Sequence, residues 1–476
     1  MPSWLSLSLV TLLLSGCAAF RSYDAELYQT LDQASTGNVD AAIRMLEANS
    51  RHGDKDLLYY LELGMLERFG QRYPQSQKSW AAANQRIQSQ NLVSTVSGFA
   101  GTAASYVVSE KLRAYEGHDY EKVMLLTYMA LNQLAMGDYD NARVAIKQTH
   151  ELEAVISELR ARQVSAVEEQ AKKKGARTSF KELNGYPVET IDTPAVNALK
   201  NSYQSALSHY LAGFVYEAMG EASLAAPGYR LANELLPNQP LLVDALRGLD
   251  QRVLASTRIE DDGMTDVLFV IGSGTAPALQ SRQFRMPVFT QGRMVLVPIS
   301  FPIMAPTTFS PPPRQLALDG GRTLSVTPLT SIDLMARRSL KDDMPSIMLR
   351  ATLRSTANAV AQYQSQRMVD SRDSATAMVG LAAMVASTGA ALLDSADDRT
   401  WRTLPSEISI ARARLPRGAN TVTLSTSDGQ RSARIDVKGR YAVVDLRLLR
   451  HRIYVNAPTA STATTARGSE NREALK

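Results

Sequence analysis

Apolar residues recur every three or four positions through roughly the first 255 residues, and after about residue 262 they alternate. The first period is that of helices with one buried face, the second that of half-buried strands. Residues 207–237, "LSHYLAGFVYEAMGEASLAAPGYRLANELLP", hold two helical runs with Gly220 between them. That pattern predicts a helical hairpin. Gly213 and Ala225 let its two helices approach, and Gly220 makes the turn. Tyr216, Tyr229 and Ala232 fill the seam to the neighbouring pair, and Pro237 stops the second helix. Pro227 lies inside the second run and is expected to delay its start or kink it.

These positions fall on the spacing of a tetratricopeptide repeat. Weaker copies lie upstream. Gly37 is followed by Ala42 and Leu46; Leu63 and Gly64 by Trp80 and Ala83; Gly137 by Ala142 and Ile146. The expected architecture for residues 24–255 is an all-α tetratricopeptide-like solenoid. Each hairpin would bury its apolar face mainly on its neighbours, so the unit would fold alone. A generic helical bundle is the alternative. Two segments interrupt the array. Residues 91–109, "NLVSTVSGFAGTAASYVVS", are uncharged and rich in small residues. From residue 151 to about 172 a long polar helix continues, followed by a loop with Gly175, Gly185 and Pro187.

Beyond residue 262, "TDVLFVIGSG", "MPVFT", "RMVLVPISFPI", "EISIARARL", "NTVTLST", "RSARIDV" and "RYAVVDLRLL" read as strands. Asp428-Gly429 marks a hairpin turn between "NTVTLST" and "RSARIDV". Helical spacing spans about 331–393, with an interruption at Pro345. Residues 262–450 are therefore expected to form an antiparallel β domain with a helical insertion, making the chain an α+β multidomain protein. Residues 374–393, "SATAMVGLAAMVASTGAALL", are uncharged and long enough to span a bilayer. They consist mostly of small residues, with Ala382, Ala386 and Ala390 on one face, and read as a buried helix, with a membrane role as the alternative. Residues 457–476 lack apolar periodicity and are expected to be disordered.

The one cysteine, Cys17, stands after an apolar run, Leu5 to Leu14, and the small residues Ser15 and Gly16. The run has the length of a signal-peptide core. Leu14-Ser15-Gly16-Cys17 has the order of a bacterial lipobox. Residues 1–16 would then be a cleaved signal peptide, Cys17 the lipidated residue, and 17–23 a tether. The n-region "MPSW" departs from the pattern in lacking Lys and Arg. Ala18 after the cysteine implies sorting to the outer membrane, since Asp is the residue that retains such proteins in the inner one.

Charge changes this picture little. The net +5 comes from 52 basic and 47 acidic residues, with no dense basic stripe interleaved with aromatics, so nucleic acid is not an expected partner. The basic run 171–177 reads as a solvated helix end. The histidines His52, His118, His150, His209 and His451 show no metal-ligand spacing, and no metal or cofactor is expected. "VIGSGTAP" has Gly272 and Gly274 but Pro277 where a dinucleotide fingerprint needs its third glycine. Gly272-Ser273-Gly274 lacks the frame of a nucleophile elbow. Asp261-Asp262 and Asp342-Asp343 read as solvated turns, and no enzyme is expected.

Candidate binding residues cluster in "YEGHDYEK", just before a helix of the array: Tyr115, His118, Asp119, Tyr120 and Glu121. Tyrosine beside hydrogen-bonding groups suits an interface anchor. The plainer alternative is that Tyr120 caps the apolar seam while Gly117 and Asp119 turn the chain and cap the helix. Tyr203, His209 and Tyr210 are the second choice for a groove.

Residues 115–143 and 396–424, "ADDRTWRTLPSEISIARARLPRGANTVTL", resemble the signature of a poorly characterised family of bacterial outer-membrane lipoproteins. The resemblance implies helical repeats followed by a β-containing half. It implies cell-wall work as well, because some members appear beside a lipoprotein activator of a peptidoglycan synthase. The expected function is a lipid-anchored, periplasm-facing scaffold that binds envelope proteins. The alternative is an accessory part of a secretion or surface-polymer export machine, and a cell-wall enzyme is a third.

Overall fold

The computed structural model describes residues 22–50, 55–97, 110–176, 178–258, 262–290, 293–306, 312–369, 395–426, 429–450 and 452–458. Cys17 with its lipobox, most of the 91–109 segment, residues 374–393 and the tail from 459 lie outside them.

The first half is helical. The described helices are α1 (Tyr23–Thr36), α2 (Val39–Asn49), α3 (Leu57–Phe69), α4 (Tyr73–Ser97), α5 (Asp119–Ala135), α6 (Tyr139–Lys174), the short α7 (Pro194–Ala198), α8 (Ala206–Ala218), α9 (Ala222–Leu235), α10 (Pro240–Arg247) and α11 (Leu249–Arg258). α1 packs on α2, α3 on α4, α5 on α6 and α8 on α9. Gly37, Gly137 and Gly220 make the turns with positive φ. Gly64 is required for a different reason: a Cβ there would lie 2.3 Å from the indole nitrogen of Trp80. A Cβ on Gly213 would likewise meet the Tyr229 ring at 2.6 Å. The start of α9 is not delayed by Pro227. The proline and Ser223, whose carbonyl loses its partner, are both exposed, so water can replace the missing bond.

The second half contains β1 (Met264–Ser273), β2 (Leu279–Thr290), β3 (Arg293–Met304), β4 (Gln315–Leu318), β5 (Thr323–Ser325), β6 (Thr327–Ser331), α12 (Ile332–Val369), β7 (Glu407–Pro416), β8 (Gly418–Thr426), β9 (Gly429–Val437), β10 (Tyr441–Leu449) and β11 (Arg452–Asn456). They form a five-stranded sheet, β11-β10-β1-β7-β6, a four-stranded sheet, β5-β4-β8-β9, and the β2-β3 hairpin.

Three expectations are corrected. The five-stranded sheet is mixed, because β1 pairs parallel with β10. α12 runs through Pro345 without interruption, again with the proline and the Lys341 carbonyl four residues earlier on a part-exposed face. Strand structure also continues past residue 450, since β11 adds an edge strand that packs on the helices.

β1 is buried on both faces. Leu268 and Val270 join the helices in one apolar core, while Val267, Phe269 and Ile271 pack with Leu316, Val422 and Ile435 of the four-stranded sheet. The molecule is therefore three-layered: helices, mixed sheet, antiparallel sheet. A strand covered on both sides needs apolar residues throughout, which is why "VLFVI" does not alternate.

The chain changes from helix to strand between Arg258 and Met264, but the core does not divide there. One cluster contains Leu27, Trp80 and Tyr128 from helices together with Trp401, Ile408, Val443 and Tyr454 from the second half. Tyr454 stacks on Phe69, with ring centroids 4.6 Å apart. Arg68 of α3 reaches Asp445 of β10 at 2.8 Å, with both side chains buried. Glu217 of α8 pairs with Arg412 of β7 at 2.5 Å.

Candidate functional site

At Gly117, φ is +74°, which turns the chain into α5. The third residue of α5, Glu121, reaches back to accept the His118 amide at 3.0 Å, satisfying one of the free N–H groups at the helix start. Glu121 is wholly buried. Its carboxylate also accepts from the Tyr115 hydroxyl at 2.5 Å, the Tyr120 hydroxyl at 3.3 Å and the backbone amide of Trp401 at 2.7 Å. A second buried acid does the same work from α3. Glu62 accepts the amides of Arg402 at 2.7 Å and Thr403 at 3.1 Å, and the Tyr23 hydroxyl at 3.2 Å.

Residues 397–403 thus lie across the 113–121 loop and the start of α5. His118 Nε2 lies 3.3 Å from the Arg399 carbonyl. The Arg399 guanidinium sits 5.2 Å from the Tyr115 ring centre and donates to the Arg113 carbonyl at 2.8 Å. Trp401 is fully buried, with Trp80 and Tyr128 rings 6.1 and 6.3 Å away. The two segments singled out in the sequence, about 280 residues apart, interlock here.

Beside this joint opens a cleft of about 560 Å³. The 110–119 loop forms one end, and the facing sides of α6 and α12 form its walls. Arg160 of α6 bridges Asp119, at 2.5 Å, to Asp343 of α12. Burial pushes the Asp119 carboxyl up, but Lys122 and Arg160 outweigh it and hold it below the usual range.

The structure divides the five expected binding residues. Tyr115, His118 and Asp119 line the cleft, whereas Tyr120 and Glu121 do not. Tyr120 and Glu121 belong to the buried joint, a place that the plainer alternative gives to Tyr120 alone. Of the second choice, Tyr203 is half-buried and is not among the residues that line this cleft, and the other two are buried. Tyr210 is buried against Tyr229, and His209 is buried and stacked on His150 with centroids 5.1 Å apart, its Nε2 3.2 Å from Glu153. Sequence reasoning missed Gln90, Arg160, Gln163 and Arg350, which line the cleft from three helices. Each looks like an ordinary polar residue of a solvated helix face, and no local signal marks it.

Burial raises the Glu62 carboxyl to about 7, against the lowering effect of the Thr403 side chain and the Arg402 and Thr403 amides. Burial likewise raises Glu407 to about 7, opposed by Ser331. A folded-state value above the unfolded one means that the folded protein holds the proton more tightly. Their contribution is therefore fully present below about pH 4.5 and is lost as pH rises to about 7. Glu110, Asp119 and Glu217 are lowered despite burial, chiefly by arginine and lysine neighbours, and lose stability at the acid end. The melting temperature is expected to peak near pH ~5 and fall toward neutrality. Glu62→Gln should flatten the fall, and an unchanged pH profile in that variant would show that Glu62 does not titrate there.

No protein-family model matches the chain. No curated protein matches it either. Among solved structures, it is similar to the crystal structure of a tetratricopeptide repeat protein from Parabacteroides merdae, at 11% identity over 49% of this chain and 98% of that one, with a TM-score of 0.13.

Proposed function

We propose that the protein is an outer-membrane-anchored, periplasm-facing lipoprotein that binds other envelope proteins as a scaffold, with the cleft between α6 and α12 as the docking place. We take its helical hairpins to be tetratricopeptide-like and its context to be envelope assembly, including peptidoglycan synthesis. The observation that carries the binding reading is the state of the cleft's charged walls. Asp119, Arg160 and Asp343 are tied to one another, as are Glu110 with Arg350 and Asp397 with Arg399. Ionisable groups committed in this way hold a surface in shape, whereas general acid–base work calls for a group poised to exchange its proton. The lipid anchor rests on Leu14-Ser15-Gly16-Cys17, and the envelope context on the resemblance of residues 115–143 and 396–424.

Two measurements test this reading. A photo-crosslinking residue at Gln163, inside the cleft, should capture a discrete partner in intact cells. The same residue at exposed Lys147 on the same helix should not. Identical products from both positions, or none from Gln163, would sink the docking reading. For the anchor, Cys17→Ala behind an ordinary signal peptide should release soluble periplasmic protein, because stable attachment needs two or more acyl chains. Retention of that variant in the membrane at high salt would point to a second membrane element, and residues 374–393 would be the first to test.

A further inference from the structure

We propose that the face built from residues 110–114 and 395–399 lies on the bilayer that carries the lipid anchor, so that the cleft opens at the membrane surface. The inference rests on the anchor reading above and adds which way the anchored molecule faces. The Tyr23 amide donates to Asp398 at 3.2 Å, and Asp24 pairs with Arg402 at 2.9 Å. The same Asp398 carboxylate pairs with Lys111 at 3.1 Å, and Arg399 donates to the Arg113 carbonyl at 2.8 Å. The start of α1, the 110–113 turn and residues 397–402 are therefore tied into one region. Arg113 and Ala114 are exposed there, and Glu110, Arg113, Ala114, Ala396 and Asp397 also line the cleft.

Tyr23 is six residues beyond Cys17. Fully extended, six residues reach only about 20 Å. A globular chain of this length has a radius of gyration of about 23 Å, so its far side stays beyond that reach while the start of α1 is held to Asp398. The first residues of the tether, Ala18, Ala19 and Phe20, are apolar. Beside acyl chains such residues gain by entering the interface, which shortens the free tether further. Two long uncharged stretches of the chain, 91–109 and 374–393, end at the same region, one at Glu110 and the other just short of Ser395. Charge there is close to balanced. Glu110 is paired with Arg350, Asp397 with Arg399 and Asp398 with Lys111, and exposed Arg113 and Glu116 are opposite in sign. A headgroup layer of either sign therefore meets little repulsion. Because the region is also an end of the cleft, the docking place proposed above suits a partner held at the same membrane.

The test uses the full acylated protein in vesicles of phosphatidylethanolamine and phosphatidylglycerol that carry a nitroxide quencher on the lipid headgroup. Cys17 is the one cysteine and its thiol is blocked by acylation, so an introduced cysteine alone takes a fluorescent label. Three labelled variants are compared. Ala25→Cys and Ala114→Cys are exposed beside the tether and on the proposed face, and Arg434→Cys is exposed on β9, in the layer beyond the mixed sheet. Quenching at positions 25 and 114 is expected to exceed that at 434 severalfold. Two labels on separate parts of the chain guard against a variant that is disturbed by its own label. Equal quenching at all three positions, or the strongest at 434, overturns the inference, as does the absence of quenching at 25 and 114 in protein that floats with the vesicles. In each of these cases the anchor reading stands, because the protein is still bound. Protein that does not float with the vesicles overturns the anchor reading itself, and the inference with it.

Discussion

Expressed alone, the helical fragment 24–255 is expected to lack a cooperative unfolding transition and to bind apolar dyes. This is the opposite of what its repeat pattern predicts. In a self-sufficient solenoid each hairpin buries its apolar face on the next. Here the faces of α3, α4 and α5 are finished by other parts of the chain. Trp80 and Tyr128 pack against Trp401, and Phe69 against Tyr454. Glu62 and Glu121 would lose the backbone amides of residues 401–403 that satisfy them in the interior. Cutting the chain would expose several large side chains, each contributing roughly 1.5–3 kcal/mol by burial, against a total stability of only about 5–15 kcal/mol. Co-expression of residues 262–458 should restore a single transition. A fragment that unfolds cooperatively by itself, with a helical circular-dichroism spectrum, would show that the helices carry their own core.

Asp445→Ala is expected to cost about 3–5 kcal/mol, read as a lowered urea midpoint. The reason is Arg68. Its side chain is 1% exposed and is held by Asp445 at 2.8 Å, with Asn132 as a further hydrogen-bond partner. Asp445 also accepts from Asn456 at 3.2 Å, so the acid ties α3, β10 and β11 together. Removing it strands a buried positive charge. Replacing both partners by apolar residues of similar size, Arg68→Met with Asp445→Leu, should cost less than Asp445→Ala alone, because no charge is then left in the core. A loss below about 1 kcal/mol for Asp445→Ala, the range of exposed pairs, would mean that water reaches Arg68.

The candidate site shows where local reading stops. Gly117 turning the chain and a helix starting at Asp119 follow from residues within a few positions of each other, and both are present. Glu121, by contrast, reads as a candidate binding residue next to Tyr120, and nothing local marks it for burial. Its burial depends on the Trp401 amide, which a chain some 280 residues longer delivers. The cleft has the same character. Arg160, Asp343 and Arg350 sit on helix faces that look solvated, and they become walls only because α12 lies against α6.

What the sequence determined by itself was what neighbouring residues decide: helical hairpins with glycine at the turns, the small residue under each large one, strands after residue 262, and the α+β class. Periodicity and backbone freedom act over a few residues, so they can be read from a few residues. Tertiary structure alone decided that β1 runs parallel to β10, that β11 adds an edge strand, that helices and sheet share one core, and that an arginine cluster faces a cleft. Each of these joins segments far apart in the chain through burial and charge pairing. Apolar burial is not directional, and an ion pair carries no record in the local sequence of where its partner lies.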